Sequence, residues 1–222
     1  MMTYLKELKK NKFLRKHDQI YARYIKRSLD LFFSIFLLIF TCPILIVLSI
    51  LVLATMGFPI FFAQERPGLE EKKFLLLKFR TMNFSSTDFI SHANDTFRTT
   101  SVGSFLRRFS LDELPQLINI FLGHMSFVGP RPLLIEYLDL YSEAQRRRHK
   151  VRPGLTGWSQ VNGRNQVKWK KRFEDDVWYV DNLSFGLDIK IITITFLKVL
   201  MGNDVNSSNK VTMEKFTGGN DE

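Results

Sequence analysis

The most apolar part of the chain is residues 31–56, in which no side chain is charged. Its length exceeds the roughly 20 residues that a helix needs to cross a bilayer. Pro43 lies near the middle, where it removes a backbone hydrogen bond and crowds the preceding turn. Basic residues flank the segment on both sides, so the positive-inside bias selects no orientation. Two topologies stay open: a kinked single span, and a helix that bends at Cys42 and Pro43 and returns to the same face.

Beyond this segment the pattern is that of a soluble domain. Short apolar runs at 60–63 and 74–79, separated by a Pro-Gly turn, predict a β-hairpin. Helical spacing of apolar residues predicts four helices, over 105–120, 133–148, 168–180 and 187–201. The last of these carries charges among its apolar residues, which fits either a membrane interface or a core-facing helix. The tail beyond residue 202 is polar, and we expect it to be loosely held.

These patterns predict an α+β fold. It combines an N-terminal apolar membrane segment with a small, mainly helical domain that contains a short β-hairpin and interfacial amphipathic helices. The expected parts are a basic N-terminal segment (1–28), a membrane helix (29–57), a main domain (58–202) and a polar C-terminal tail (203–222).

Charge supports attachment to a membrane. The net charge is +10, and residues 1–28 hold nine Lys and Arg against two acidic residues. A basic segment that leads into an apolar one is typical of chains that bind anionic lipid. Nucleic acid is the other usual partner of such charge, but the adjacent apolar segment argues against it. Cys42 is the single cysteine, so no disulfide can form within the chain.

Two adjacent carboxylates, Asp112 and Glu113, are the strongest candidates for chemistry. Ser110 and Glu113 have the spacing of a helix capping box, which is a purely structural explanation of the pair. The functional explanation is compatible with it, because adjacent helical side chains point about 100° apart. One carboxylate would attack phosphorus while the other holds a metal ion. We refer to these two residues as the dyad.

Arginines surround the dyad in sequence, and a guanidinium group matches phosphate oxygens with two parallel hydrogen bonds. Several stand beside Gly or Pro, in rigid turns that position a side chain at low entropic cost. They are Arg80, Arg98, Arg107, Arg108, Arg131, Arg152 and Arg164.

Six ordered motifs resemble the monotopic phosphoglycosyl transferases of bacterial glycoconjugate assembly. The resemblance covers roughly residues 24–200. The motifs are Lys26-Arg27-Ser28-Leu29-Asp30, Gln64-Glu65-Arg66-Pro67-Gly68, Lys78-Phe79-Arg80-Thr81-Met82, Leu111-Asp112-Glu113-Leu114-Pro115-Gln116-Leu117, the segment 123–132 with its Gly-Pro-Arg-Pro end, and the segment 152–164.

The resemblance implies a two-step transfer. The aspartate of the dyad attacks the β-phosphate of a UDP-sugar, which gives a covalent phosphosugar intermediate and releases UMP. Polyprenyl (undecaprenyl) phosphate then takes the phosphosugar. Carried over, Asp112 is the nucleophile and Glu113 a Mg²⁺ ligand, while Arg107 engages the polyprenyl phosphate. Further positions match substrate-binding sites of the family: Arg131 with Pro130 and Pro132, Arg164, Arg80 and Asp188.

The resemblance also bears on the sugar and the location. The segment 131–152 looks most like the PglC-type members, which transfer phospho-N,N′-diacetylbacillosamine in N-glycan assembly. The alternative is the same reaction with another UDP-sugar, for capsule, O-antigen or exopolysaccharide. The family's helix breaks at the proline, here Pro43 after Cys42, and places both ends in the cytosol at the inner membrane. The resemblance thus implies that the membrane helix (29–57) is re-entrant, helix-break-helix, and that residues 58–202 form a cytosolic catalytic domain. Downstream glycosyltransferases are possible partners. A non-catalytic membrane adaptor is the alternative of another class, but it would need no intact dyad.

Overall fold

A computed structural model describes residues 20–83, 99–163, 168–201 and 215–218. The described chain begins with a π-helical turn, Tyr21–Ile25, that continues into the long apolar helix α1, Lys26–Met56. One face of α1 is buried at Asp30, Ser34, Leu48 and Val52, while the remaining large apolar side chains are mostly exposed. This helical spacing shows that one stripe of α1 lies against the rest of the protein along much of its length.

Helix α1 runs through Pro43 without a break into two helices. The predicted interruption at Cys42 and Pro43 is therefore not seen, because a proline removes only one backbone hydrogen bond from a helix that has many. The neighbouring Thr41 hydroxyl donates to the carbonyl of Leu37 at 2.7 Å, within the same helix. By length and composition α1 could cross a membrane, and only 11% of its most apolar window is buried.

Both ends of α1 are fastened to the same domain. At the start, Arg27 donates to the carbonyls of Ile120 and Phe121 at 2.7 and 2.8 Å. At the end, the Arg80 guanidinium donates to the carbonyls of Met56, Gly57 and Phe58. The last carbonyls of a helix have no hydrogen-bond partners within the helix. A cation beside them also interacts favourably with the helix dipole.

The predicted hairpin is confirmed. Strand β1, Phe61–Pro67, pairs antiparallel with β2, Lys73–Phe79, with Phe61 opposite Phe79 and Pro67 opposite Lys73. The outer edge of β2 is held by the buried Asn119 side chain, which accepts from Leu77 N at 3.0 Å and donates to Leu75 O at 2.7 Å. A side-chain amide thus replaces a third strand.

A single helix over 105–120 was the expectation, and it is wrong. The structure has α2 (Ser101–Arg108), a 3₁₀ turn (Leu111–Glu113) and α3 (Gln116–Phe121). Ser110 has a left-handed backbone, φ 54°, which a continuous helix does not allow. Its side chain makes no cap hydrogen bond, so the capping box is also wrong.

The second incorrect prediction is a helix over 133–148. Instead the chain forms a 3₁₀ helix (Ile135–Leu140), the short α4 (Glu143–Arg146) and a second 3₁₀ turn (Arg147–Lys150). Tyr141 is extended and buried between them. Packing of its ring against Phe173 outweighs the local helical pattern.

A parallel pair of short strands, β3 (Ser126–Val128) and β4 (Gly154–Thr156), was not predicted. The two strands approach so closely that a Cβ on Gly154 would lie 2.0 Å from the backbone nitrogen of Gly129. Only glycine fits such a contact. After β4 follow α5 (Trp158–Asn162), α6 (Trp169–Asp181) and α7 (Phe185–Leu200). The last two confirm the helices predicted over 168–180 and 187–201.

Helix α7 has two apolar faces. Ile191 is fully buried in the core, whereas Phe185, Ile189 and Phe196 are exposed. Both alternatives for this helix are therefore partly met: one face packs on the domain and the other presents apolar surface. In the tail, Phe216 is buried among Tyr137, Tyr141, Phe173 and Trp169, so the expectation of a loosely held tail is wrong at this residue.

Candidate active site

The dyad lies in the 3₁₀ turn between α2 and α3, with strand β2 beside it. The left-handed backbone of Ser110 ends α2 and redirects the chain, and Pro115 ends the turn ahead of α3. This geometry buries Asp112 and leaves Glu113 partly buried. The turn therefore places both carboxylates at the junction of three elements.

Two basic side chains form ion pairs with the same carboxylate oxygen of Glu113. Its Oε1 accepts from Lys78 Nζ at 2.6 Å and from Arg131 Nη2 at 2.7 Å. Burial by itself raises the pKa of Glu113, but the charges and hydrogen bonds of Arg131 and Lys78 outweigh it and lower the pKa to about 2. Glu113 is therefore a fixed negative charge at neutral pH.

Asp112 has the opposite character. Burial raises its pKa, as does the neighbouring charge of Glu113, while Lys78, Arg107 and Arg131 act against the rise. No described residue donates a hydrogen bond to either of its carboxylate oxygens. An ionised carboxylate that is poorly solvated and has no hydrogen bonds is a strong nucleophile. The two adjacent acids thus have pKa values pushed in opposite directions, a pattern that distinguishes their roles.

Arg107 is brought to Asp112 by the packing of α2. A Cβ on Gly103 would lie 2.0 Å from the Thr81 carbonyl oxygen, so only a glycine allows α2 to rest on the backbone of Thr81. The same Thr81 accepts a hydrogen bond from Arg107 Nε at 2.9 Å through its hydroxyl. This contact fixes the stem of an otherwise exposed arginine whose charge acts on Asp112.

Arg131 lies between Pro130 and Pro132 in the loop after β3. The prolines have no N–H to donate, so the loop is held through its carbonyls. Gly154 N donates to Pro130 O at 3.0 Å and Arg66 Nη1 to Pro132 O at 3.5 Å. The loop thereby presents the Arg131 side chain to Glu113.

Two of the predicted site residues lie elsewhere. Arg80 is used at the end of α1, as described, and is not hydrogen-bonded to the dyad. Asp188 is 3% exposed, and its Oδ2 accepts from Tyr21 and Lys26, both at 2.5 Å, while Tyr179 donates to Oδ1 at 2.7 Å. We call these four residues the anchor cluster. Arg164 lies outside the described residues.

Sequence reasoning missed three residues that the structure joins to the site. Lys78 stands in the motif Lys78–Met82 but was given no role there, and Arg80, two residues later, is used at the end of α1 and not at the dyad. Asn119 holds β2, and Arg148 contacts the loop of Arg131. No local pattern predicts the last two contacts, because they join residues far apart in the chain.

The donor set fits Mg²⁺. This ion takes one or two carboxylates and completes its shell with water and substrate phosphates. No described residue donates a hydrogen bond to Glu113 Oε2 or to either Asp112 oxygen, so these atoms are free to act as ligands. Among the described residues no group of three or more His, Cys, Asp or Glu is arranged to hold a metal. A cation at the dyad would therefore depend on substrate phosphate oxygens.

Comparison with known proteins identifies the family. The sequence model of the bacterial sugar transferases matches residues 21–202, most of the chain. The chain belongs to the bacterial sugar transferase family. Bacterial sugar transferases that resemble it include an uncharacterized sugar transferase, EpsL, of Bacillus subtilis. That protein is 50% identical over 197 residues, which are 89% of this chain and 98% of EpsL.

Other relatives have named activities. The UDP-glucose:undecaprenyl-phosphate glucose-1-phosphate transferase of Escherichia coli is 40% identical over 187 residues, 79% of this chain and 40% of that protein. The undecaprenyl-phosphate galactose phosphotransferase of Salmonella typhimurium is 37% identical over 200 residues, 82% of this chain and 42% of that protein. The chain thus spans less than half the length of these two relatives. Family membership makes it a transferase.

Proposed function

We propose that this chain transfers a hexose 1-phosphate from a UDP-hexose to undecaprenyl phosphate at the cytosolic face of the bacterial cytoplasmic membrane. The observation that carries the proposal is the dyad: a buried Asp112, whose carboxylate accepts no hydrogen bond from the described residues, beside a Glu113 held by Arg131 and Lys78. Relatives named for glucose and galactose transfer support a hexose. The diacetylbacillosamine inferred from the PglC-type motif has no support among them, so the alternative sugar is preferred.

In the first step, a carboxylate oxygen of Asp112 attacks the β-phosphorus of the UDP-sugar. The bond from that phosphorus to the oxygen bridging the two phosphates breaks, and UMP leaves with the electron pair. In the second step, a phosphate oxygen of undecaprenyl phosphate attacks the same phosphorus. The bond to Asp112 breaks, which restores the carboxylate and gives undecaprenyl-diphosphate-hexose. Phosphoryl transfer needs mainly positioning and charge neutralisation from the protein.

The described residues divide these tasks. Arg107 and Arg131 bring positive charge to Asp112 from two sides, which suits a soluble diphosphate and a lipid phosphate that use the site in turn. Lys78 keeps Glu113 ionised. Mg²⁺, held by Glu113 with Asp112 nearby, would neutralise phosphate charge when bound. The raised pKa of Asp112, caused first by burial, means that the protein stabilises its charge less than water does, which makes the ionised carboxylate a stronger nucleophile.

The attachment of α1 supports a monotopic topology. Arg27 near its start and the Met56 carbonyl at its end both contact the catalytic domain, and a buried stripe lies along it between them. A helix that crossed the bilayer would separate its ends by the membrane's thickness. We therefore place both ends on the cytosolic side, with the exposed face of α1 in lipid. This monotopic placement of α1 is a proposal that does not require a break at Pro43.

The test is turnover in nanodiscs with Mg²⁺ and undecaprenyl phosphate, with UMP as the product measured. UDP-glucose, UDP-galactose and UDP-N,N′-diacetylbacillosamine are compared at equal concentration. We expect UMP and lipid-linked sugar from a UDP-hexose. Turnover with the diacetylbacillosamine nucleotide alone would restore the PglC-type assignment, and no UMP from any of them would overturn the proposed function.

A further inference from the structure

A buried ion pair lies behind the loop that carries Arg131. Arg148 and Asp176 have side chains that are each 1% exposed. Arg148 donates to Asp176 Oδ2 from Nε at 3.1 Å and from Nη2 at 2.8 Å. The other oxygen of Asp176 accepts from the Ser159 hydroxyl at 2.7 Å. Both oxygens of Asp176 are therefore occupied, one by Arg148 and the other by Ser159.

Stability alone is a weak explanation for such a pair. Removing two charges from water is costly, and well-packed apolar side chains often replace a buried ion pair without loss of stability. Arg148 is packed between the rings of Tyr141 and Phe173, each 5.8 Å from its guanidinium carbon, so an apolar residue would suit this position. The presence of an arginine here therefore needs another explanation, which must come from the groups that its N–H donors bind.

The explanation lies in a further hydrogen bond of the Arg148 guanidinium, beyond those to Asp176. Arg148 Nη2 donates to the backbone carbonyl of Arg131 at 2.6 Å. Arg131 in turn donates to Glu113 Oε1 through its side chain. A chain of contacts therefore runs from Asp176 through Arg148 and Arg131 to the dyad.

We propose that Arg148 is a positioning residue, which acts on the reaction through the backbone of Arg131. Asp176 orients Arg148, and Arg148 fixes the loop so that the Arg131 side chain meets Glu113. The inference rests on the proposed function of the dyad. It predicts that Arg148 and Arg131 are coupled energetically, because Arg148 acts on the dyad only through Arg131.

The chain offers a matched control next to Arg148. Arg147 also pairs with an aspartate of α6, Asp181, but that pair is about one-third exposed. Arg147 makes no hydrogen bond to the loop of Arg131. The two arginines thus differ in contact with the loop, while both join the same turn to the same helix.

The experiment is a double-mutant cycle measured as kcat/KM for UMP release, with the melting temperature of every variant. Lysine keeps the charge of Arg148 but lacks the fork that reaches Asp176 and the Arg131 carbonyl together. We expect Arg148→Lys to lower kcat/KM about tenfold in the parent chain and less than about twofold in Arg131→Lys. Arg147→Lys should change it less than about twofold in both backgrounds.

Equal loss from Arg148→Lys in both backgrounds would overturn the inference, as would a lowered melting temperature with unchanged kcat/KM. If Arg148→Lys does not fold, Asp176→Asn carries the same test, because it preserves shape and one acceptor oxygen. Failure of the proposed function has a different signature: the parent chain itself releases no UMP. An active parent with additive variants rejects only the role of Arg148.

Discussion

The dyad and the anchor cluster both contain buried acidic side chains beside a lysine, yet the hydrogen bonding of those carboxylates differs. In the anchor cluster, Asp188 has both oxygens occupied by three donors. In the dyad, Glu113 is held by two cations while Asp112 accepts no hydrogen bond from a described residue. A fully bonded carboxylate fastens elements together, and one left unbonded is available to react. The number of hydrogen bonds that a carboxylate accepts therefore distinguishes a structural acid from a reactive one better than its burial does.

The anchor cluster explains how the start of α1 is attached to the rest of the protein. Tyr21 lies in the π-helical turn before α1 and Lys26 at the first position of α1, whereas Tyr179 and Asp188 come from α6 and α7. Asp30, one turn further along, accepts from Ser126 Oγ at 3.1 Å and from Phe127 N at 3.2 Å. Asp30 is thus joined by hydrogen bonds to β3, which leads into the loop of Arg131.

The largest effect is expected from Asp112→Asn. It should lower kcat at least about a thousandfold, because the amide cannot attack phosphorus. The raised pKa of Asp112 means that folding disfavours its charge, so removing the charge should leave the melting temperature at neutral pH unchanged or higher. Activity assays and thermal unfolding check this together. A fall in both kcat and the melting temperature would indicate a structural role for Asp112.

Asp188→Asn should have the opposite effect: it should lower the melting temperature and change activity little. Breaking a buried ion pair costs about 3 kcal/mol or more, because Lys26 is left buried without its partner. That corresponds to a fall of roughly 6–12 °C in melting temperature for a chain of this size. Asp181→Asn, in an exposed pair, is the control and should change it little.

For the folded fraction of Asp188→Asn, we expect kcat/KM within about threefold of the parent chain. A tenfold rise in KM for the UDP-sugar at unchanged stability would instead support the substrate-binding role that the sequence suggested for Asp188.

Lys78→Met tests the charge balance within the dyad. Methionine preserves the apolar stem but leaves Glu113 with Arg131 as its one ion-pair partner among the described residues, so we expect kcat to fall about 10- to 100-fold. Lys73→Met is the control on the same strand, since Lys73 is exposed and lies 3.9 Å from Glu65. An equal loss in both variants would mean that the hairpin, not the charge, was affected.

The smallest effect concerns pH and His149. Burial, together with the charges of Arg148 and Arg146, lowers its pKa to about 3 against a backbone hydrogen bond at Gly68. Below pH 6.5 the unfolded chain therefore binds a proton that the folded protein does not, and stability falls as pH drops toward 3. His149→Gln should show a smaller fall in melting temperature between about pH 7.5 and 5.

His124→Gln, which removes an exposed imidazole, is the control variant with which the pH dependence of His149→Gln is compared. An unchanged slope in His149→Gln would show that His149 is not the group responsible.

Sequence patterns predicted those parts of the protein that local rules determine. The hairpin follows from two apolar runs around a turn, and α6 and α7 from helical spacing. Local rules failed at Ser110 and Tyr141, where tertiary packing imposes a backbone that the apolar periodicity does not encode. For the site, the chemistry that the motif around Asp112 suggested stays a prediction, whereas Asn119 and Arg148 make contacts to residues distant in the chain. Such contacts depend on the fold and have no local signature.

The most direct test of the account is the intact mass of the purified protein after incubation with Mg²⁺ and a UDP-hexose, without undecaprenyl phosphate. The account predicts a hexose-phosphate adduct formed together with UMP, absent in Asp112→Asn and discharged when undecaprenyl phosphate is added. If UMP and lipid-linked sugar form only when both substrates are present, and no adduct is ever detected, direct transfer replaces the covalent role of Asp112.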